Sequence, residues 1–538
     1  MSEILYPTKF VIEPEDIWKE YCGFLDLSIE EYMHIQYRLM NEQIQLWSEC
    51  ALGQCLLKGR QIGSIAEFRQ DFPLTTYETY ADVLLMKKGN MLPEDPIVWI
   101  QTTWEGGKHP VKLAPYSKSM LNTYRTNVIA CLILATSTQR KKFDVTTGDT
   151  MLYGLAPLPY ATGLLPLLLG DEIQIEFLPS VKTAEKLSFS ERNKLGFKLG
   201  LSKGIDLFFG VGSVAYFVSK SFSSLSQGSS NSHKLSFLSY SPKMLLRYLK
   251  AKQTCKKEER ELKPKDIFRL KGFMCAGTDN SSYKDELEDF WGIRPVEVFA
   301  GTEPGCMGCE TWAKNGLYFF PDSCFYEFIP EAEMNRSLED LDYQPKTYLM
   351  DQVVPGELYE LVISVFKGGA FMRYRVGDVY RCIALDSPTE STHIPRFEYV
   401  DRIPTVIDIA GFTRITEYSV RQVIQLSGLL IKDWFACKEF TAEKHPYMHM
   451  YVEMDTSSYL SSAVTTEILK EHLGVYFKYL DNDYDNLKKI LGMDPLEITI
   501  LQSGTFDRYY ATADRPLRHI NPPVYEKISL LELNKNPD

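Results

Sequence analysis

The amino-acid sequence predicts an α/β protein, with a large N-terminal body of β-sheets packed by helices and a small α+β C-terminal domain. Two observations predict this fold class. Short apolar strand segments alternate with helical segments over residues 1–400, as in sheets that are covered by helices. A polar boundary then follows at 401–411, and a new alternation of strand and helix patterns runs through 401–538, a length within the usual range for one domain.

The composition is that of a folded globular protein. Of the 538 residues, 44% are hydrophobic and 24% are charged, close to the averages for globular domains. The 59 Lys and Arg residues against 71 Asp and Glu residues give a net charge of −12. This balance argues against a nucleic-acid partner, which requires a dense positive field. The 11 cysteines show no regular spacing, so we do not expect a disulfide framework.

The strongest candidate for a membrane span is the uncharged segment 151–170. Three prolines and two glycines within it would interrupt the backbone hydrogen bonds that a lipid environment requires. We therefore expect a buried loop and helix there, and no membrane partner. The N-terminus lacks a basic region followed by an apolar run, so no signal peptide is predicted and the expected location is the cytoplasm.

The first half of the chain contains several clear patterns. A helix is predicted over 30–57 because apolar residues recur there at steps of four and three. A strand at 96–101 leads into a turn rich in Thr, Gly and Lys, where backbone N–H groups can converge on an anion. The apolar segment 205–218 is either a buried helix or a buried strand. The serine-rich stretch 219–232 predicts a mobile surface segment.

The second half continues the alternation. Strands at 272–276 and 295–300 each end in Gly and polar residues, as expected where parallel strands deliver loops to a site. Further strands are predicted at 358–365, 373–382, 447–454 and 495–501, and helices at 250–265, 417–426 and 465–479.

Several common chemistries have little support in the sequence. No P-loop motif is present, and the two glycines at 210–212 lack the third glycine of a dinucleotide fingerprint. Cys306 and Cys309 form a single C-x-x-C without a second pair or a nearby histidine, whereas structural zinc sites usually have four ligands. His445 and His449 are four residues apart, but Pro446 disfavours the helix that would bring them together.

Three segments carry the candidate chemistry, namely 102–112, 299–303 and 373–379. Each of them alone also fits an ordinary structural role: a glycine turn, a solvated loop acid, and an edge strand ending in a Gly-Asp turn.

Together and in this order, these segments resemble the motifs of the Gretchen Hagen 3 family of acyl-acid amido synthetases, a branch of the adenylate-forming superfamily. The family's nucleotide loop ends in Gly-Gly-Lys and is matched by Thr102, Thr103, Gly106, Gly107 and Lys108. The second motif, an aromatic-Ala-small-small-Glu, is matched by Phe299, Ala300, Gly301, Thr302 and Glu303. The third motif, Tyr-Arg-x-Gly-Asp, is the most specific and is matched by Tyr374, Arg375, Gly377 and Asp378. Weaker likenesses lie at 155–160, 204–206 and 504–506.

The resemblance implies an ATP-dependent ligase that acts in two half-reactions. A small carboxylic acid attacks the α-phosphate of ATP to form an acyl-adenylate, and an amine, usually an amino acid, then displaces AMP. ATP and Mg²⁺ are the implied cofactors, and the acid and the amine or amino acid are the implied small-molecule partners. The large N-terminal domain, 1–400, is expected to bind the nucleotide and the acid, and the small domain, 401–538, is expected to rotate between the half-reactions.

The resemblance also implies roles for single residues. Thr102, Thr103, Gly106 and Gly107 are expected to form the phosphate cradle, with Lys108 adding positive charge. Thr302 is expected near the adenine or the α-phosphate, Glu303 is the expected Mg²⁺ ligand, and Asp378 is expected to accept the ribose hydroxyls. Tyr374 and Arg375 belong to the same nucleotide motif, and Arg402 is expected to serve the domain hinge. The implied catalytic residues are Lys108, Glu303 and Asp378.

The sequence departs from the family pattern in two places. Trp104 and Glu105 stand where the family has small hydroxyl residues, and Asn521 stands where many relatives have a lysine. If that lysine is required, Arg518 or His519 would have to replace it. Two alternatives therefore stay open: a ligase that uses the thiol of coenzyme A as acceptor, and a non-catalytic protein that binds a nucleotide or an acid on the same scaffold.

Overall fold

The structure is a computed structural model that describes residues 13–102, 108–109, 111–154, 156–169, 173–226, 241–411, 413–455, 465–480, 484, 487, 494–513 and 515–535. The chain divides into two units. The first comprises Met1–Thr102 and Lys112–Val400, and the second comprises Thr103–Val111 and Asp401–Asp538.

The first unit is built around a large mixed sheet. The strands of this unit are β1 (Val98–Gln101), β2 (Leu113–Tyr116), β3 (Thr150–Gly154), β4 (Glu176–Leu178), β5 (Leu207–Val211), β6 (Gly272–Ala276), β7 (Val296–Gly301), β8 (Gly305–Glu310), β9 (Leu317–Phe319), β10 (Cys324–Pro330), β11 (Leu358–Val365), β12 (Tyr374–Ala384) and β13 (Arg396–Arg402). Strands β1 and β2 form a separate antiparallel pair, and the others form the large sheet. Its helices are α1 (Pro14–Cys22), α2 (Ile29–Glu49), α3 (Ala51–Leu57), α4 (Ile65–Asp71), α5 (Ala81–Leu84), α6 (Lys118–Thr136), α7 (Leu165–Leu169), α8 (Val181–Ala184), α9 (Phe189–Lys203), α10 (Gly212–Ser226), α11 (Pro242–Lys257), α12 (Pro264–Ile267), α13 (Asn280–Trp291) and α14 (Glu331–Glu339).

Strand pairing in the large sheet changes from parallel to antiparallel at β7. Among the described residues it has eleven strands in the order β10-β11-β12-β13-β9-β8-β7-β6-β5-β3-β4. Strands β4, β3, β5, β6 and β7 pair in parallel, whereas β7–β8, β8–β9, β9–β13, β10–β11 and β11–β12 pair antiparallel. Antiparallel neighbours can be joined by a tight hairpin, but parallel ones need a crossover. The predicted α/β fold class is therefore confirmed, with an antiparallel half added to the parallel one.

Helix α6 lies in the core beside the sheet. It packs on β6 and β8, and thirteen of its nineteen residues are buried, as expected for a helix that is apolar on nearly all sides. Helix α2 contributes an apolar stripe that includes Met40 and Trp47, and it also buries two glutamines. The amide of Gln36 donates to the carbonyls of Pro321 and Cys324 at 2.6 and 2.7 Å, so these polar groups are satisfied by backbone.

Most predicted elements appear, with two informative differences. The helix predicted over 30–57 is interrupted at Cys50, whose backbone is extended and whose thiol accepts a hydrogen bond from the N–H of Gly53. The serine-rich stretch was wrongly predicted to be mobile from residue 219, because α10 continues through Ser226. Ser219 is fully buried, and its hydroxyl accepts a 2.7 Å hydrogen bond from the indole of Trp291. Residues 227–232 lie outside the described residues.

The segment 151–170 begins as β3 and continues through a short 3₁₀ helix, Ala161–Leu164, into α7. Among the residues described, no helix combines the length and the apolar character needed to cross a bilayer. The segment 205–218 contains both of the predicted alternatives, since β5 leads directly into α10.

The second unit is a small α+β structure. Its strands are β14 (Val406–Ile409), β15 (Thr413–Thr416), β16 (Ile431–Phe440), β17 (Pro446–Met454) and β18 (Leu496–Leu501), and its helices are α15 (Glu417–Ser427), α16 (Thr466–Leu480), α17 (Thr505–Thr512) and α18 (Val524–Lys535). Strands β16 and β17 pair antiparallel, and β17 and β18 pair in parallel. Phe435, Tyr451 and Phe506 form part of the core between this sheet and its helices.

A buried carboxylate fixes the start of α17. Glu453 is fully buried, and its two oxygens accept hydrogen bonds from the N–H groups of Gly504 and Phe506 at 2.8 and 2.9 Å. A negative charge at a helix N-terminus is stabilised by the unpaired N–H groups and the helix dipole. Gly504 has a φ of +82°, which favours glycine. The motif at 504–506 therefore has a structural explanation.

A second carboxylate connects the sheet of this unit to its last helix. Glu439 on β16 accepts hydrogen bonds from the hydroxyls of Tyr447 and Tyr451 and from Lys527 on α18, and His449 Nδ1 lies 2.9 Å from it. Burial by itself would raise the pKa of Glu439, but the hydrogen bonds from His449 and Lys527 hold that pKa well below its ordinary value.

We expect the second unit to lose stability in acid through Glu439. A carboxyl whose pKa is lower in the folded state stabilises the fold above its unfolded pKa of about 4.3, and the stabilisation is lost as pH falls further. Glu439→Gln should flatten this dependence, measured as amide hydrogen exchange of β16 and β17 between pH 7 and about pH 3. Glu532→Gln, at an exposed position on α18, is the control. An unchanged acid dependence in Glu439→Gln would contradict this assignment.

Candidate functional site

The second motif forms the tip of a tight hairpin. Strands β7 and β8 pair up to Gly301 and Gly305, so that Thr302, Glu303 and Pro304 make a three-residue loop. Gly305 has a φ of +80°, and a Cβ atom there would stand 3.2 Å from the ring of Tyr124. A left-handed residue after a three-residue loop is the usual geometry of such hairpins. Glu303 therefore lies at the hairpin tip that follows β7, the strand at which pairing in the sheet changes from parallel to antiparallel.

The third motif lies on a bulge in β12. Arg375 is opposite Val362 on β11, and Val379 is opposite Glu360, so the three residues 376–378 face only one residue of the neighbouring strand. Gly377 has a φ of +80°, which permits this local conformation. Bulges redirect side chains and are frequent beside functional sites. Asp378 directly follows this glycine and is buried.

The first motif starts at the base of the loop between β1 and β2. The N–H of Thr102 donates to the carbonyl of Lys112, and the N–H of Lys112 donates to the Thr102 hydroxyl, both at 3.0 Å. These two bonds extend the β1–β2 pairing and close the loop. Thr102 is buried and therefore serves as the anchor of the loop. Thr103, Gly106 and Gly107 of the predicted cradle, and the departures Trp104 and Glu105, lie outside the described residues.

Two tyrosine hydroxyls donate hydrogen bonds to the second motif within the first unit. Tyr116, the last residue of β2, donates to the carbonyl of Thr302 at 2.7 Å. Tyr374, the first residue of β12, donates to Glu303 Oε1 at 2.9 Å. The strand that returns from the first motif is thereby bonded to the second motif, and the second motif is bonded to the third. The structure thus brings Thr302, Glu303 and Tyr374 together.

The backbone on either side of Tyr374 is also held. The N–H of Thr75 donates to the carbonyl of Arg373 at 2.8 Å, and the N–H of Arg375 donates to the carbonyl of Thr75 at 2.9 Å. The Thr75 hydroxyl donates to the carbonyl of Met372 at 2.8 Å. The start of β12 is therefore paired with a segment some 300 residues earlier in the chain.

A buried ion cluster fixes the residue before the third motif. Arg373 is buried and makes two 3.1 Å contacts with the carboxylate of Glu327, which is fully buried, and Arg69 donates to the same carboxylate at 3.0 Å. Burial by itself would raise the pKa of Glu327, but the charges of Arg373 and Arg69 hold it below its ordinary value. Both arginines line an open cavity of about 660 Å³.

The guanidinium of Arg375 contacts protein groups. It donates to both oxygens of Glu360 on β11, at 2.7 and 2.5 Å, and to the hydroxyl of Ser337 at 3.1 Å. Glu360 is fully buried, so this bidentate pair holds β12 against β11 across the bulge. The predicted nucleotide contact of Arg375 stays a prediction.

Lys108 and Arg402 belong to the second unit. Lys108 is exposed, and its predicted contact with a phosphate stays a prediction. Arg402 Nε lies 4.0 Å from Asp408 Oδ2, and Arg414 Nε donates to the same oxygen at 3.0 Å. Asp408 is fully buried, so Arg402 and Arg414 share its charge near the start of this unit.

Asn521 has a structural role at the position where many relatives have a lysine. Its backbone has a φ of +43°, and its side chain accepts from the N–H of Lys438 at 2.9 Å and donates to the carbonyl of Val406 at 3.2 Å. Asparagine tolerates this left-handed conformation better than most residues. Asn521 therefore joins β16 to β14 through both ends of its amide.

The two residues suggested as replacements for a lysine also have protein contacts. Arg518 donates from Nε and Nη2 to the carbonyl of Asn521, at 3.0 and 2.6 Å. His519 Nε2 lies 3.0 Å from Asp433 Oδ1. Both side chains therefore hold the segment around Asn521 in place.

Glu303 fits a magnesium ion that is bound together with a nucleotide. Its carboxylate offers the hard oxygen ligand that Mg²⁺ prefers, and the hydroxyl of Tyr374 engages one of its two oxygens. Within the described part of the chain, no three Asp, Glu, His or Cys side chains are grouped to hold a metal ion. A Mg²⁺ at Glu303 would thus take its other ligands from phosphates and water, as is common for this ion.

Several residues that support the site were not predicted from the sequence. Tyr116, Thr75 and Glu327 lie outside the three motifs, and they act only through contacts with residues far away in the chain. Tyr116 ends a strand directly after the first motif, and this position was the one available indication.

Comparisons with known proteins agree with the family predicted from the motifs. Residues 317–402, which contain β9 to β13 and the third motif, match the GH3 family central domain. The chain is 26% identical over 201 residues to jasmonoyl–L-amino acid synthetase GH3.5 of Oryza sativa subsp. japonica, covering 35% of this chain and 32% of that protein. It is 25% identical over 195 residues to jasmonoyl–L-amino acid synthetase JAR6 of Nicotiana attenuata, covering 35% and 31%. The matched region thus spans about a third of the length of these relatives.

Two solved structures share the fold over nearly the whole chain. AtGH3.15 acyl acid amido synthetase in complex with 2,4-DB has a TM-score of 0.53 at 16% identity, covering 98% of both chains. 2-Hydroxyisobutyryl-CoA ligase in complex with 2-HIB-AMP and CoA has a TM-score of 0.57 at 13% identity, covering 99% of this chain and 98% of that one. Residues 317–402 thus match the central domain of the family predicted from the motifs, and nearly the whole chain shares the fold of these two structures.

We expect Glu327→Gln to destabilise the first unit strongly. The substitution leaves two arginines without their buried counter-charge, and breaking such a cluster from one side costs about 3–5 kcal/mol. The measurement is the free energy of unfolding from urea titration. Glu398→Gln, which removes a half-exposed partner of Arg381, should change it by less than about 1 kcal/mol. Equal effects of the two substitutions would show that the buried cluster contributes little.

We expect Asn521→Ala to destabilise the second unit by about 2 kcal/mol, because it removes two hydrogen bonds and leaves a left-handed backbone without a tolerant residue. Asn521→Gly keeps the backbone freedom and should lose less. The measurement is hydrogen exchange of the β14 and β16 amides. A larger loss with glycine than with alanine would argue against the importance of the backbone conformation.

Proposed function

We propose that this chain, which carries the GH3 family central domain, is an ATP-dependent ligase. It activates a carboxylic acid as an acyl-adenylate and transfers the acyl group to an amine, usually an amino acid, with release of AMP. One observation supports this most strongly: the hairpin tip that presents Glu303 accepts hydrogen bonds from Tyr374 of the third motif and from Tyr116, at the end of the strand that follows the first motif.

The first half-reaction brings an anionic carboxylate to an anionic phosphate, so the site must supply positive charge and hydrogen-bond donors. In the proposal, Lys108 supplies charge, and the loop anchored at Thr102 supplies backbone N–H groups through Thr103, Gly106 and Gly107. Thr302, at the hairpin tip, is assigned to the adenine or α-phosphate region.

The remaining roles follow from oxygen chemistry. Asp378 is assigned to the two ribose hydroxyls, because a carboxylate can accept from both members of a diol. Glu303 is assigned as the protein ligand of Mg²⁺, which would neutralise phosphate charge during the reaction. Arg402, at the start of the second unit, is assigned to the hinge between the half-reactions.

The substrates proposed here follow the relatives' names. The matched relatives are named as synthetases of jasmonoyl–L-amino acid conjugates, so they join an organic acid to an amino acid. A small carboxylic acid and an amino acid are accordingly the proposed substrate classes for this chain.

A thiol acceptor is the second candidate, because the fold is shared with a CoA ligase. The two candidates differ only in the second half-reaction. An amine or the thiol of coenzyme A would attack the same acyl-adenylate, and the dependence of AMP release on each acceptor separates them.

We expect acid-dependent release of pyrophosphate from ATP, followed by AMP release that depends on an added amino acid. The assay combines a panel of small carboxylic acids with either amino acids or coenzyme A. Asp378→Asn should lower the rate by at least about 100-fold, because it loses a charged hydrogen-bond acceptor. Asp386→Asn, at an exposed position after β12, should leave the rate unchanged.

Normal turnover in Asp378→Asn would remove the ribose assignment while leaving the ligase intact. Absence of pyrophosphate release with every acid, from a folded protein, would favour the non-catalytic binding protein instead. AMP release that requires coenzyme A would replace the amido synthetase by an acyl-CoA ligase.

A further inference from the structure

We propose that Tyr374 is a positioning residue that holds Glu303 in the orientation needed to receive the metal–nucleotide complex. This assignment replaces the direct nucleotide contact that the motif resemblance implies for Tyr374. The identity of the ligand rests on the proposed function, whereas the geometry of the pair does not depend on it.

The first argument is the direction of the tyrosine hydroxyl. It donates to Glu303 Oε1 at 2.9 Å, and the Tyr374 residue is only 2% exposed. A phenol that is buried and engaged with a carboxylate has its one proton committed to that carboxylate. The bond engages one oxygen of Glu303, so the second oxygen can serve as a metal ligand. Glu303 itself is 8% exposed, which places it at the edge of the buried region.

The second argument is that Tyr374 cannot easily move. The hydrogen bonds to Thr75 hold the backbone on both sides of Tyr374. Its ring lies 4.9 Å from that of Phe371 and 6.4 Å from that of Tyr80. A donor whose own position is fixed by packing can fix the orientation of its acceptor.

The third argument is that the hairpin tip is held from other sides as well. Tyr116 is fully buried and donates to the carbonyl of Thr302, directly before Glu303. Gly305 takes its left-handed conformation against the ring of Tyr124. With the backbone of the tip held in this way, the remaining freedom of Glu303 is the rotation of its side chain, and the Tyr374 hydroxyl restricts it.

If Tyr374 orients Glu303, then the hydroxyl oxygen of Tyr374 alone should affect metal affinity. Removing the hydroxyl in Tyr374→Phe keeps the ring and its packing but releases the carboxylate. Loss of a hydrogen bond that orients a metal ligand typically lowers metal affinity by about 10- to 100-fold. In a Glu303→Gln background, removing the Tyr374 hydroxyl should have little further effect on metal affinity, because the carboxylate that it orients is already absent.

The test is a titration of Mn²⁺, as a paramagnetic substitute for Mg²⁺, followed by electron paramagnetic resonance in the presence of ATP and without any carboxylic acid. The four proteins compared are the unchanged chain, Tyr374→Phe, Glu303→Gln and the double variant. Tyr359→Phe is the matched control, because the Tyr359 hydroxyl also donates to a carboxylate, that of Glu357, at 2.9 Å, and neither residue belongs to the three motifs.

The expected result is Mn²⁺ affinity weakened about 10-fold or more in Tyr374→Phe, unchanged in Tyr359→Phe, and equal in Glu303→Gln and the double variant. Unchanged Mn²⁺ affinity in Tyr374→Phe would overturn the proposal. So would an equal loss with and without the Glu303 carboxylate, because that would indicate a general structural effect. Absence of Mn²⁺ binding to the unchanged chain would overturn it as well.

This readout separates the inference from the proposed function. Mn²⁺ binding that depends on Tyr374 in a protein that never releases pyrophosphate would support the positioning role and reject the ligase activity. If Tyr374→Phe does not fold by circular dichroism, Tyr116→Phe tests the other anchor of the tip. Weakened Mn²⁺ binding in that variant is expected, and unchanged binding would overturn the proposal.

Discussion

The hydrogen bond between Tyr374 and Glu303 joins two segments that lie 71 residues apart in the chain. It forms because β7 and β12 lie in one sheet and because special backbone conformations follow β7 and lie near the start of β12. At β7 the sheet changes from parallel to antiparallel, so a tight hairpin can follow and place Glu303 at its tip. The start of β12 is held by Thr75 and by the cluster of Arg373 with Glu327. The candidate site therefore depends on sheet topology as much as on its own residues.

The residues in and beside the second and third motifs divide into two physical groups. Gly305 and Gly377 both have positive φ angles, and they shape the hairpin and the bulge. Glu303 and Asp378 are the acids that these backbone features present. Arg375 belongs to the first group in effect, because its guanidinium holds β12 to β11 through Glu360. A motif that reads as one functional unit in the sequence thus combines groups that build the site with groups that do its proposed chemistry.

The sequence predicted the elements well wherever the pattern was local. Apolar runs of strand length identified β6, β7, β11 and β12, and the spacing of apolar residues identified α2. The prediction for the serine-rich stretch was wrong, and the burial of Gln36 was not predicted, because each of these polar side chains finds a distant partner. Ser219 belongs to a serine-rich stretch, but its hydroxyl is buried against Trp291. Gln36 interrupts the apolar pattern of α2, yet it is buried because its amide bonds to backbone near β10. Neither partner can be read from neighbouring residues.

The same division holds for the whole protein. The sequence by itself determined the α/β fold class, the three motifs and the resemblance to a known family, because these depend on residue type and on short spacing. Only the tertiary structure decided that Tyr116 bonds to Thr302, that Tyr374 bonds to Glu303, and that Asn521 connects β14 and β16. A hydrogen bond requires two atoms within about 3 Å in a suitable direction. Chain folding decides which distant atoms meet that condition.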